Sequence, residues 1–115
     1  MKAAPSIARI VLAIVIVPAS SFGASADAHP KTVEVVIEHF AFVPSSIEVA
    51  PGDSVVFTNR DITPHTATAV DGSWTTEDIA GGQSETLVVP TTAGAAYVCR
   101  YHPVMKGRLV ITNAR

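Results

Sequence analysis

The chain has 115 residues, 48% of them hydrophobic and 6% aromatic, with 8 basic and 10 acidic side chains and a formal net charge of −2. That length suits one small domain, and the mildly acidic balance, with no basic cluster and no phosphate-cradling glycine loop, argues against nucleic acid as a partner. The single cysteine, Cys99, excludes an internal disulfide.

The first segment sets the compartment. Lys2 and Arg9 precede an apolar run from Ile10 to Val17, followed by Pro18 and a string of small residues, which is the layout of a secretory signal peptide. The run is too short to span a bilayer, and no cysteine near the junction offers a lipid anchor. Ala24-Ser25-Ala26 fits the small-residue cleavage rule, and Ala26-Asp27-Ala28 fits it nearly as well. Cleavage after Ala26 divides the chain into an export signal at 1–26 and one domain at 27–115, 89 residues long; losing Lys2 and Arg9 takes the net charge from −2 to −4. The expectation is a periplasmic or otherwise exported monomer with no membrane insertion after cleavage. The same cut exposes Asp27-Ala28-His29, an amine and a third-position histidine able to wrap Cu(II) in four nitrogens in its preferred square-planar geometry. Cleavage after Ala28 would instead leave His29 itself at the terminus.

Beyond the signal, the pattern has period two and almost no helical signal. Val33, Val35 and Ile37 face one way, and Ile47 and Val49 repeat this after Pro44. Pro51-Gly52-Asp53 is a turn in which proline fixes the first corner and glycine accepts a positive φ. Val55 and Phe57 continue the inward face. Further runs lie at 66–70, 84–89, 95–101 and 108–112, separated by Asp71-Gly72-Ser73, Gly81-Gly82-Gln83 and Pro90 to Gly94. Short strands at this spacing predict an all-β Greek-key sandwich of about seven to eight strands. Trp74 reads as a core residue and the stretch from Ser73 to Gly82 as a loop.

The chemistry lies late in the chain, in Cys99-Arg100-Tyr101-His102-Pro103-Val104-Met105. A thiolate, an imidazole and a thioether at intervals of three can all face one ion from a single tight loop, and this soft set selects copper. A lone cysteine is usually inert packing, but packing does not explain His102 and Met105 at equal steps beyond it. The loop lacks a fourth donor, which Asn59-Arg60-Asp61-Ile62-Thr63-Pro64-His65 offers just past a strand end. Two histidines, a cysteine and a distant methionine describe a blue-copper electron-transfer site, with His65, Cys99 and His102 equatorial and Met105 axial.

Ile37 to Pro44, Ile47-Glu48-Val49, Pro51-Gly52-Asp53, Asn59-Arg60-Asp61 and Pro64-His65 together resemble the successive strands of a cupredoxin, from about Thr32 to the end. Within that family the short loop from Cys99 to Met105, with Pro103 after the histidine, is most similar to the amicyanins. The resemblance implies one type 1 copper ion, an apolar patch around an exposed His102 edge lined by Pro64, Pro103 and Val104, and redox partner proteins of dehydrogenase or cytochrome type. It also implies supporting roles for Asn59, Thr66 and Tyr101. Many cupredoxins have asparagine where this chain has Thr66; its amide can still donate to the Cys99 sulfur, but its side chain cannot reproduce the amide bracing of the two ligand loops. Amicyanins tend to have proline where this chain has Tyr101, and the free N–H of Tyr101 is expected to give the sulfur a second hydrogen bond. His39 has no such support and reads as structural.

Arg100, Lys106 and Arg108 cluster around the loop and would favour an acidic partner. The leading function is an electron carrier rather than an enzyme, with a copper-binding or copper-delivery module as the alternative. A nitrite reductase or oxidase would need a further copper cluster or an open coordination position, for which four histidines are too few.

Overall fold

A computed structural model describes residues 29–113, together with residues 13, 14 and 16. Eight strands follow one another: β1 Thr32–Glu38, β2 Ala41–Val43, β3 Ser46–Val49, β4 Ser54–Asn59, β5 Thr68–Ala69, β6 Ser84–Val88, β7 Ala96–Val98 and β8 Lys106–Ile111. They form two four-stranded sheets, ordered β2-β1-β4-β6 and β3-β8-β7-β5. The pairs β1–β4 and β3–β8 are parallel, and the others are antiparallel. The described residues contain no helix, so none is long and apolar enough to cross a membrane.

The alternation read from the sequence is the one that fills the core. Val35, Ile37, Val55, Phe57, Val49 and Leu109 are fully buried between the sheets, as expected when one face of each strand meets the opposite sheet. Four aromatic rings occupy the centre. Phe42 lies 4.8 Å from Tyr97, Phe57 5.7 Å from Tyr97, and Trp74 5.4 Å from Tyr97, centroid to centroid. The two phenylalanine contacts are edge-to-face and the tryptophan contact is tilted, and such ring pairs add to burial. Tyr97 on β7 pairs with Gly107 on β8, where a Cβ would run into the tyrosine ring. The Tyr97 hydroxyl has no hydrogen-bond partner among the described residues. Trp74 is buried as expected, its indole N–H donating to the Gly94 carbonyl at 2.9 Å.

The turn at Pro51-Gly52-Asp53 has the predicted form: Gly52 has φ 92° and the Asp53 N–H donates to the Ala50 carbonyl at 3.0 Å. Asp53 itself is buried and accepts the amides of Lys31 and Ala50 at 3.0 and 2.9 Å. Four runs differ from the expected bounds, that at 84–89 only by stopping at Val88. The stretch at 66–70 is a strand only at Thr68–Ala69, that at 95–101 stops at Val98, and that at 108–112 begins at Lys106. The residues left outside β5 and β7 include Thr66 and Cys99, whose amides turn to the Cys99 sulfur and the Met105 carbonyl instead of a ladder. The segment from Ser73 to Gly82 is a loop stitched to the sheet by bridges Thr75 to Thr68 and Ile79 to His65.

Candidate metal centre

At one end of the sandwich the loop leaving β4 and the loop joining β7 to β8 come together. Asn59, the last residue of β4, is fully buried and directs the first loop. Its Nδ2 donates to the carbonyls of Thr63 and Ile79 at 2.9 and 2.8 Å, and its Oδ1 accepts the Asp61 amide at 2.9 Å. The loop so shaped delivers His65, which exchanges both backbone bonds with Ile79. Its ring is completely buried.

The second loop closes on itself. The Cys99 N–H donates to the Met105 carbonyl at 3.1 Å, the Met105 N–H to the His102 carbonyl at 2.9 Å, and the His102 N–H to the Cys99 carbonyl at 3.2 Å. The donor atoms of His65, Cys99 and His102 all lie within 4.8 Å of one another. Cys99 Sγ is 3.7 Å from His65 Nδ1 and 4.0 Å from His102 Nδ1. Met105 is buried at the end of this loop.

Asp61 orients the first imidazole. One carboxylate oxygen accepts the His39 amide at 2.8 Å; the other accepts the Phe40 amide at 3.0 Å and faces His65 Nε2 at 2.9 Å. A carboxylate only accepts, so Nε2 carries a proton and Nδ1 is the ring atom turned to the sulfur. Burial pushes the Asp61 carboxyl up, but the Phe40 amide, the His65 ring and the His39 amide outweigh it and hold it below the usual carboxylate value. His39 and Phe40 have φ of 53° and 55°, a left-handed conformation that costs a bulky residue energy. The bonds to Asp61 compensate it. The Phe40 ring then meets both His65 and His102 edge-on, at 5.1 Å each.

Thr66 keeps its expected amide role and adds another, whereas Tyr101 departs from the role expected of it. The Thr66 amide does donate to Cys99 Sγ, at 3.5 Å. Its side chain also braces the loops, contrary to expectation, because Oγ1 accepts the Arg100 amide at 2.9 Å. A hydroxyl row runs on from Thr66 to Thr68 at 2.9 Å and from Thr68 to Thr75 at 2.8 Å, and Thr75 donates to the Thr76 carbonyl. Each hydroxyl has one proton, so the row is directed from Thr66 towards Thr76.

For Tyr101 the expected amide bond to sulfur is not found among the described residues. The turn commits the neighbouring amides of Arg100 and His102 to Thr66 and Cys99, and the phenol of Tyr101 donates instead to Asp78 at 2.6 Å. That bond, with burial and the Asp78 charge adding to it, raises the phenol above its usual value.

Pro64, Pro103 and Val104 are exposed beside the half-buried His102, and Thr63, Pro64, Asp78, Tyr101 and His102 line a shallow notch there. Sequence reasoning missed Phe40, a half-exposed ring against His102, and gave Asp61 and Asp78 no role. The Asp61 to His65 spacing of four was a usable signal; nothing in the sequence pointed to Phe40 or Asp78. Of the three basic residues, Arg100 faces Asp78 at 3.4 Å, whereas Lys106 and Arg108 are exposed without an ion pair among the described residues. His29 is exposed, and Asp27 and Ala28 lie outside the described residues.

The donor set fits a copper ion: two imidazole nitrogens and a thiol converge in a largely buried position with a thioether-bearing residue adjacent. An all-β sandwich carrying that set at one end is the architecture of mononuclear copper proteins. The chain belongs to the cupredoxin-like domain family, whose family model matches residues 9–111. It is similar to amicyanin-alpha of Methylorubrum extorquens, 28% identical over 98 residues that cover 81% of this chain and 82% of that protein. An oxidised amicyanin mutant matches with TM-score 0.61 and 27% identity, covering 70% of this chain and 81% of the other. A copper-containing nitrite reductase from Thermus scotoductus matches with TM-score 0.63 and 25% identity over 74% of this chain, which spans only 23% of the reductase.

Proposed function

We propose that this protein is an exported blue-copper electron carrier, in which His65, Cys99, His102 and Met105 would hold one type 1 copper ion. The observation that carries this reading is the convergence of Cys99 Sγ with the Nδ1 atoms of two histidines, one buried and one reaching the surface. Bound there, copper would supply one-electron exchange between its cupric and cuprous states. The residues supply what makes that exchange fast. Asp61 fixes the tautomer of His65, the Thr66 amide stabilises thiolate charge, and the buried His65, Cys99 and Met105 keep water away, so little rearranges with the electron.

His102, ringed by Pro64, Pro103 and Val104, is the exit and entry edge. Redox partners, of dehydrogenase or cytochrome type, would dock on this apolar rim, steered by Lys106 and Arg108 if they are acidic. The reading includes an export signal at 1–26, a domain at 27–115, a periplasmic or otherwise exported location and a monomeric state. Mass spectrometry of the mature protein with one or two equivalents of Cu(II) decides between a second Cu(II) site at Asp27-Ala28-His29 and a histidine that binds no metal. The reading is that of a carrier and not an enzyme, and it follows the likeness to amicyanin-alpha over 82% of that protein's length.

The test is the visible and paramagnetic-resonance spectrum of the copper-loaded protein with voltammetry. Intense sulfur-to-copper absorption and a reversible one-electron wave are expected. A colourless, redox-silent protein would sink the carrier reading, and ready loss of copper to a competing chelator would favour a delivery module.

A further inference from the structure

Two sets of bonds outside the donor set converge on one short segment between β5 and β6. Ile79 exchanges backbone bonds of 3.1 and 2.8 Å with His65 and accepts Asn59 Nδ2 at 2.8 Å, so the loop of the first imidazole is fixed against it. Asp78, its immediate neighbour, accepts the Tyr101 phenol at 2.6 Å on one oxygen and faces the Arg100 guanidinium at 3.4 Å on the other. Tyr101 directly precedes His102.

We propose that Tyr101 is a positioning residue for His102: anchored on Asp78, its phenol ties the second ligand loop to the segment that holds His65, so the protein itself sets the spacing of the two imidazoles. The proposal rests on the copper reading for its consequence, though its geometry does not.

The loop from Cys99 to Met105 has buried ends, but its middle, from Tyr101 to Val104, is exposed apart from a half-buried His102. Without a lateral tie, that middle is held by its own turn bonds and by the Phe40 and His65 rings against His102. The phenol-to-carboxylate bond is short and charge-assisted, the stronger kind. The Arg100 pair is about half exposed on both sides and adds little alone. However, the Arg100 guanidinium lies 5.9 Å from the Tyr101 ring centroid and its amide is held by Thr66, so it limits the swing of the tyrosine. A site pre-spaced in this way rearranges less when its charge changes and releases its ion more slowly.

The variants Tyr101→Phe, Asp78→Ala, Asp78→Asn and the double Tyr101→Phe/Asp78→Ala test this. In the copper-free protein, nitrogen relaxation of amides 101, 102 and 104 should show lower order in Tyr101→Phe and Asp78→Ala than in the wild type. In the copper-loaded protein, release to excess chelator should quicken about threefold to tenfold, the factor that one net hydrogen bond represents. Asp78→Asn keeps an acceptor oxygen and should lie between, and the double variant should be no worse than either single one. Unchanged loop order in both single variants, or effects that simply add, would overturn the proposal. A wild type that proved colourless with copper would refute the carrier reading, while the copper-free relaxation would still decide the positioning role.

Discussion

The Asp61 carboxylate receives two backbone amides from residues at positive φ and the Nε2 proton of a buried imidazole. Removing it therefore disturbs two things at once, the tautomer of His65 and the conformation that presses Phe40 on both histidines. Asp61→Ala should weaken copper binding by about tenfold to a hundredfold, the usual effect of losing a partner of a ligating histidine, as measured by competition with a chromophoric chelator. Thr66 separates backbone from side chain. Thr66→Val keeps the amide on the sulfur but leaves the Arg100 amide without its acceptor, so urea unfolding of the copper-free protein should show a loss of about 1–3 kcal/mol. The reduction potential should hold near its wild-type value. Tyr97 is the opposite case, a buried hydroxyl with no partner among the described residues. Tyr97→Phe should leave stability unchanged or raise it by about 1 kcal/mol, because it removes an unsatisfied group.

At the scale of elements, β7 and β8 connect the core to the site, since Cys99 and Met105 stand just beyond the end of one and the start of the other. Their packing depends on Gly107, over which the Tyr97 ring lies. Gly107→Ala forces that ring aside within a cluster that also holds Phe42, Phe57 and Trp74, and should cost about 1–3 kcal/mol, the range for overpacking. Thermal unfolding of the copper-free protein measures it. The strand alternation was legible because each buried position, such as Val35, Ile37, Val55 and Phe57, lies two residues from the next. Strand ends near the site were not. Thr66 and Cys99 have the composition of strand residues, yet their loops are set by side chains distant in sequence, among them Asn59 and the Thr66 hydroxyl.

For the whole molecule, only two tyrosines are present, and both phenols are raised, Tyr101 by its bond to Asp78 and Tyr97 by burial. A raised folded-state value means that folding favours the protonated phenol, so stability is unaffected below the ordinary value of 10.0 and falls as pH climbs through the shifted one. An ultraviolet titration should therefore show Tyr101 ionising above pH 10 and Tyr97 later, and Asp78→Asn should bring the Tyr101 midpoint back down. By itself the sequence determined the β-sandwich, the order of its strands' inward faces and a ligand loop in which cysteine, histidine and methionine are neighbours, because these depend on period and short spacing. Only the tertiary structure decided that Asp61 would orient His65, that a threonine hydroxyl would brace the two loops, and that Asp78 would hold Tyr101. Those contacts join residues on separate loops, and the distance between such loops is set by how two sheets pack, which no local pattern encodes.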